Sequence, residues 1–116
     1  MTQPQLPQTE AFVFDADLPW HAAGPGVERK ILGYCDALMA VRFRFQTGGV
    51  GALHQHVHIQ TSVVTSGIFD VTIDGVTKRL GPGDCYIVPP NAVHGATCVE
   101  AGELIDSFAP MRADFI

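Results

Sequence analysis

The sequence predicts an all-β fold in which short antiparallel strands form a sandwich or a barrel. Apolar and polar residues alternate with a period of two in several segments, and turns rich in glycine and proline separate those segments at short intervals. No segment shows a helical period over three turns. The 116 residues fit one domain, and the composition, with 47% hydrophobic and only 16% charged residues, argues against a disordered chain.

The sequence predicts an N-terminal tail and an edge strand in residues 1–26 and the barrel in residues 27–116. Residues 1–10 are polar and rich in proline, which favours a loose tail or an arm that orders against a partner subunit. Residues 11–27 combine the apolar run 12–14 with prolines and glycines, as expected of an edge strand and a loop. We expect a cytoplasmic protein with no membrane partner, because no secretory signal and no apolar run of ~20 residues is present.

The remaining elements are predicted from alternation and from turn residues. Met39, Val41, Phe43 and Phe45 alternate with more polar neighbours, which predicts a half-buried strand. The other predicted strands cover residues 61–66, 68–73, 76–80, 85–88, 94–99 and 103–108. The pair Asp74-Gly75 predicts a type I′ turn between two of these strands.

Charge and cysteine content limit the partners and the redox chemistry of the chain. Acidic residues outnumber basic ones by 12 to 7 and the basic ones are scattered, so we expect no nucleic-acid partner. Cys35, Cys85 and Cys98 are odd in number and lack CxxC spacing, which argues against a disulfide framework. We predict that each cysteine is a small buried hydrophobic residue.

Histidines are concentrated in one part of the chain. Four of the five lie between residues 54 and 94, and three of them alternate in the run His54, His56 and His58. Alternate residues of a strand share a face, so these imidazoles and the amide of Gln60 would point the same way, and His94 would join them from another strand. The cluster predicts a metal site. For His58 two interpretations stay open: a group near the metal that contacts substrate, or a rim histidine turned outward by a bulge.

The spacing around these residues resembles the two motifs of the cupin family, in residues 48–67 and 83–98. The resemblance implies a double-stranded β-helix, the jelly-roll barrel of cupins. It also implies four ligands for one divalent transition metal ion, namely His54, His56, Gln60 and His94. Zinc, nickel, iron, manganese, cobalt and copper all suit such a set, so the identity of the metal stays open.

Gln60 departs from the glutamate that is commoner at its position in cupins. Four neutral donors leave the full double charge on the ion, which favours Lewis-acid polarisation of substrate oxygens. A neutral set also stabilises a trivalent state less than a carboxylate would, and this weakens the case for an oxygen-activating iron site.

The C-terminal stretch from Asp106 to Phe115 resembles the D-x-F-x-P-x-R-x-D-F ending of the small uronate-linearising cupins of pectin and alginate degradation, and residues 28–34 are similar to their first strand. This resemblance implies a 4,5-unsaturated uronate as substrate and its linear keto form as product. Asp106 would move a proton, Arg112 would pair with a carboxylate, and Phe108 would form an apolar wall beside the sugar.

Alternation independently places Asp106 on a face with Leu104 and Phe108, where desolvation would raise its pKa toward a useful acid–base range. The alternatives are a solvated Asp106 on a surface strand and an ordinary surface ion pair between Arg112 and Asp114. Two further functions stay open, a metal-dependent cupin dioxygenase and a ligand-binding cupin without catalysis. Cupins of this size usually pair, so the resemblance also implies a homodimer in which residues 12–14 supply an exchanged strand.

Overall fold

The computed structural model describes residues 7–116, which form eight β-strands and two 3₁₀ helices of three residues each. The strands are β1 (His21–Gly24), β2 (Val27–Cys35), β3 (Leu38–Phe45), β4 (Val50–His54), β5 (Ile59–Ile73), β6 (Val76–Leu80), β7 (Cys85–Val88) and β8 (His94–Ala109). The 3₁₀ helices are Asp15–Asp17 and Ala113–Phe115. Neither of these helices has the length and apolar character that a bilayer crossing requires. The prediction of an all-β fold is confirmed.

Two long antiparallel strands, β5 and β8, organise the fold because each contributes to two sheet halves. In one half the order is β1-β2-β3-β8-β5-β7, and in the other it is β4-β8-β5-β6. Apolar residues from both halves form the main core cluster: Val27, Phe45, Val64, Phe69, Val71, Ala96, Cys98 and Leu104. The two halves therefore pack face to face, as in the predicted jelly roll.

The sequence predicted β5 and β8 as four separate strands, and this is wrong. Residues 61–66 and 68–73 belong to one strand, and so do residues 94–99 and 103–108. The ladder between β5 and β8 shifts register three times between Val64 and Phe69, so that the strands bend there without ending. Gly67 lies at this bend with φ +80°, and a Cβ on Gly102 opposite would overlap the backbone of Ser66.

Turn chemistry gave the correct bounds for the shorter elements. β6 and β7 occupy residues 76–80 and 85–88 as predicted. Asp74 and Gly75 have φ values of 48° and 81°, both positive as a type I′ turn requires. Of the four predicted inward residues of β3, Met39, Val41 and Phe45 are buried and Phe43 is partly buried.

The N-terminal predictions hold only in part. Residues 1–6 of the predicted tail lie outside the described residues, but the backbone of Thr9 is hydrogen-bonded to the Tyr34 carbonyl at 3.0 Å and is therefore not loose. Residues 12–14 form no strand, and Phe12 and Phe14 are exposed. The edge strand is β1, which pairs with β2. Ion pairs with Lys30 of β2 and Arg42 of β3 hold Asp15 against the sheet.

The prediction for the cysteines is correct for one of three. Cys98 is buried in the main core, whereas Cys35 and Cys85 are exposed. Cys35 is the last residue of β2 and Cys85 is the first of β7, and strand ends of this kind project beyond the core. All three are free thiols.

Candidate metal centre and adjoining cavity

The histidine run is not the continuous strand that alternation predicted. β4 ends at His54 and β5 begins at Ile59, so His56 and His58 lie in the connection between the strands. A reversal of the chain, and not a shared strand face, turns the first two imidazoles toward Gln60 on β5. His94 begins β8 and lies opposite His54 in the β4–β8 ladder.

The structure brings together all four predicted ligands. One ring nitrogen of each of His54, His56 and His94 lies within 4.8 Å of those of the other two. The side-chain oxygen Oε1 of Gln60 is 3.0 Å from Nε2 of His56 and 3.1 Å from Nε2 of His94. Three imidazoles and one amide therefore converge on a single point.

Hydrogen bonds fix which ring nitrogen of each histidine faces that point. Nδ1 of each ring is hydrogen-bonded to a backbone carbonyl oxygen. The distances are 2.8 Å from His54 to Ala52, 3.0 Å from His56 to His58 and 2.9 Å from His94 to Ala92. A carbonyl oxygen only accepts, so each Nδ1 carries the proton and each Nε2 offers a lone pair. Hydrogen bonds of this kind orient histidines that ligate metals.

The amide of Gln60 is oriented in the same way. Its Nε2 donates to Ser62 Oγ at 2.9 Å and to Asp106 Oδ2 at 3.3 Å, which leaves Oε1 facing the imidazoles. The lone pairs of the imidazole nitrogens and of Gln60 Oε1 thus face one another at close range with no hydrogen-bond donor between them. They repel one another unless a cation binds among them. Three nitrogens and one oxygen, all neutral, fit one divalent transition metal ion.

Burial keeps the imidazoles ready to bind. It lowers the pKa of both His56 and His94 from the ordinary value, and in each case the neighbouring Arg112 lowers the pKa further. Both rings are therefore neutral at neutral pH, which is the form that binds a metal ion.

Asp106 lies next to this centre on the inward face of the sheet. It stands in register with Ser62 on β5 and Val41 on β3 and is 6% exposed. Burial raises the pKa of Asp106 to about 7, although a hydrogen bond from Ser62 and the charge of Arg112 act in the opposite direction. Its Oδ1 atom is buried and has no hydrogen-bond partner among the described residues. The alternative of a solvated surface aspartate is excluded.

Tyr86 is a candidate functional residue that sequence reasoning missed. It pairs with Ser62 across β7 and β5, so Tyr86, Ser62 and Asp106 form one row across three strands. Burial, and next the negative charge of Asp106, raise the pKa of the Tyr86 phenol above its ordinary value, so the hydroxyl stays protonated. The position of Tyr86 next to Ser62 follows from the pairing of β5 with β7, which no sequence motif indicates.

A cavity of about 310 Å³ connects the centre with Asp106. It is lined by polar and aromatic side chains, including His54, Gln60, His94, Tyr86, Asp106, Phe108, Arg112, Phe115 and Arg29. Phe108 is 2% exposed and meets the His56 ring edge-on at 5.7 Å. The size and lining of the cavity suit a small polar molecule.

Arg112 and His58 differ from their predicted environments. Arg112 makes a two-pronged ion pair with Asp114, at 3.0 Å from Nε and 2.8 Å from Nη2, and its side chain is 12% exposed. The ion pair with Asp114 was the predicted alternative; Asp114 is exposed, but the Arg112 partner is largely buried and lines the cavity. His58 belongs neither to the convergent cluster nor to the cavity lining, and its ring lies 5.4 Å from the His56 ring. It holds His56 through its backbone carbonyl.

Comparison of the sequence and the structure with known proteins identifies one family. The Cupin domain family matches residues 41–107. The chain is 40% identical to the pectin degradation protein KdgF of Dickeya dadantii, across 90% of this chain and 97% of that protein. Its structure is similar to an RmlC-like cupin from Shewanella frigidimarina, with a TM-score of 0.91, 44% identity, and 94% and 98% of the two chains covered. It is also similar to KdgF from Halomonas sp., with a TM-score of 0.88, 38% identity, and 93% and 100% covered.

Proposed function

Because the chain belongs to the cupin family, we propose that it is a metal-dependent enzyme that converts a 4,5-unsaturated uronate monosaccharide into its linear keto form. The similarity to two proteins named KdgF, one of them called a pectin degradation protein, supports a substrate of this class. The observation that carries the proposal is Asp106: a buried carboxyl group with a pKa near neutrality, hydrogen-bonded to Gln60 and lining the cavity.

His54, His56, Gln60 and His94 would hold the ion in this proposal. When bound, a divalent transition metal ion supplies Lewis-acid polarisation of substrate oxygens. Their neutrality leaves the charge of the ion undiminished, and their hydrogen bonds to backbone carbonyls, Ser62 and Asp106 keep the donor atoms in place.

Asp106 would carry the proton that the reaction moves. The anomeric hydroxyl loses a proton, the bond between C1 and the ring oxygen breaks, and the electron pair stays on that oxygen. This leaves an aldehyde at C1 and an enolate at C5, and return of the proton to C4 converts the enolate to a ketone. Atoms and electrons balance without an oxidant. A carboxyl group with a pKa of about 7 is present in both protonation states at neutral pH, so it both accepts and donates.

Arg112 and Phe108 would position the sugar. Asp114 occupies Nε and Nη2 of Arg112, so Nη1 remains to meet a substrate carboxylate. Phe108 offers a ring beside the predicted ligands, against which the apolar face of the sugar would pack. His58 would act one step further away, by orienting His56.

The experiment follows the ultraviolet absorbance of a 4,5-unsaturated uronate monomer under anaerobic conditions. We expect metal-loaded protein to remove the alkene signal faster than the spontaneous rate, and chelator-stripped protein to lose this effect. Asp106→Asn should retain metal and lose activity by about 10²-fold or more. The matched control is Asp70→Asn, which alters a partly exposed aspartate of β5, on the same strand pair but outside the cavity.

No acceleration by a fully loaded protein would contradict the proposed function. Oxygen uptake with a phenol, ketone or thiol would then favour the dioxygenase, whereas metal or sugar binding without turnover would favour a ligand-binding cupin. Full activity of Asp106→Asn would remove Asp106 from the mechanism.

We also propose that the protein is a homodimer. Ile59 and Val63 of β5 are 46% and 38% exposed, and Ile87 of β7, which pairs with Thr61 between them, is 62% exposed, so this outer face presents apolar surface. Light scattering of the purified protein should give twice the mass of the 12.5 kDa chain. A monomeric mass would contradict this proposal without affecting the enzymatic one.

A further inference from the structure

Arg29 occupies a position where a barrel normally places an apolar side chain. It lies on β2 between Val27 and Ile31, and because alternate residues share a face, all three point inward. Val27 and Ile31 pack into the two core clusters, whereas Arg29 lines the cavity. Its neighbour across the ladder, Phe43, lines the same cavity. A guanidinium group thus faces the interior in a row of hydrophobic residues.

Arg29 is also the one arginine of the described chain without a carboxylate within 4.0 Å. The other four are paired: Arg42 with Asp15 and Glu103, Arg44 with Glu28, Arg79 with Asp70, and Arg112 with Asp114. Burial, and next the charge of Arg112, lower the pKa of Arg29, so its surroundings disfavour the cation. A half-buried charge without a partner destabilises a fold, and such a cost is typical of a group that binds a ligand.

The ring of Phe115 holds Arg29 close to Arg112. The guanidinium carbon of Arg29 is 3.8 Å from the ring centroid, and that of Arg112 is 4.3 Å from it. Asp114 neutralises Arg112 through two hydrogen bonds but forms no ion pair with Arg29. Two arginines and one aspartate therefore leave one net positive charge on this wall of the cavity, and Arg29 is the arginine without an ion pair.

We propose that Arg29 selects substrates that carry a carboxylate, by forming with Arg112 a two-guanidinium subsite on the wall of the cavity. The identification of the carboxylate with that of a sugar acid rests on the proposed function. A planar guanidinium group matches a carboxylate through two parallel hydrogen bonds, and a neutral sugar offers no charge to oppose that of Arg29. Arg29 is thus a specificity residue that acts on binding and leaves the proton transfer to Asp106.

The test compares two sugars that differ at one carbon: D-glucuronate, with a carboxylate at C6, and D-glucose, with a hydroxymethyl group there. Their dissociation constants are measured by NMR titration against zinc-loaded wild-type protein, Arg29→Gln, and the control Arg79→Gln, which removes an exposed arginine from the surface. We expect wild type to prefer glucuronate. Arg29→Gln should reduce this preference about tenfold, as expected for one charge-assisted hydrogen bond, and leave glucose binding unchanged.

Loss of folding would not imitate this result. Gln removes an unpaired charge but also loses the contact with the Phe115 ring, so the melting temperature of Arg29→Gln should stay close to that of wild type. In turnover of the unsaturated uronate, Arg29→Gln should raise KM and leave kcat within about threefold, whereas Asp106→Asn lowers kcat.

Each outcome separates this inference from the proposed function. An unchanged preference for glucuronate in Arg29→Gln overturns the inference even if turnover is normal, because the metal or Arg112 then suffices. No preference in wild type overturns it as well. If the preference depends on Arg29 but the unsaturated uronate is not turned over, the subsite stands and the proposed reaction fails.

Discussion

Replacing Asp106 by Asn should change the way in which stability depends on pH. The side chain is buried, and its pKa is raised from the model-peptide value of 3.8 to about 7 in the folded protein. The folded state therefore holds a proton that the unfolded state releases between about pH 4 and pH 7. The contribution of Asp106 to the unfolding free energy is fully present below its pKa in the unfolded state. This contribution is lost as the pH rises through its pKa in the folded state.

The size of this effect follows from the shift. Each pKa unit corresponds to about 1.4 kcal/mol, so wild type should lose up to about 4 kcal/mol of unfolding free energy between pH 4 and pH 8 relative to Asp106→Asn. The amide itself changes stability by a constant amount, because it does not titrate. Its oxygen takes over the hydrogen bond from Gln60 Nε2, and its NH₂ group replaces an oxygen that has no partner.

Urea denaturation of chelator-treated protein at several pH values measures the difference between wild type and variant. Other titrating groups cancel in this comparison because both proteins contain them. A difference that stays constant from pH 4 to pH 8 would refute the reasoning, since it would mean that Asp106 titrates alike in the folded and unfolded states.

Three further predictions concern the centre and the fold. His94→Ala should lose bound metal, as measured by elemental analysis, and unchanged content would remove His94 from the ligand set. Ser62→Ala frees the amide of Gln60 and should weaken metal binding by about tenfold in a competition assay with a chromophoric chelator; Thr65→Ala, on the same strand but exposed, should not. Gly102→Ala should cost more than about 3 kcal/mol in denaturant titration, whereas Gly33→Ala, whose Cβ meets only ordinary contacts, should cost less than about 1 kcal/mol.

The shorter elements were predictable from sequence because their bounds depend on local chemistry. β6 and β7 end at glycines and prolines, and the Asp74-Gly75 pair has the dihedral angles of its turn type. β5 and β8 were not predictable as single strands. A bulge and a turn present the same break in alternation, and only pairing with the opposite strand distinguishes them.

The metal centre and its cavity were likewise predictable only in part. The convergence of His54, His56, Gln60 and His94 was predicted from spacing and family resemblance, although the run of alternating histidines is a connection between strands. The environment of Asp106 followed from alternation with its own strand neighbours. Tyr86 was missed because its place beside Ser62 depends on the register between β5 and β7, whereas alternation along β2 with Val27 and Ile31 could have placed Arg29 inward.

The pairing of β5 with β8 also decides when the centre can form during folding. Its ladder joins Ile59 to Ala109 at one end and Ile73 to His94 at the other, so every pair closes a long loop before it gains contact energy. Folds dominated by such non-local pairs form slowly. Gln60 and His94 meet only once this ladder exists, so the ion binds the native state and not its precursors. Free metal at a hundred times its dissociation constant would then stabilise the finished barrel by about 2.7 kcal/mol through mass action alone.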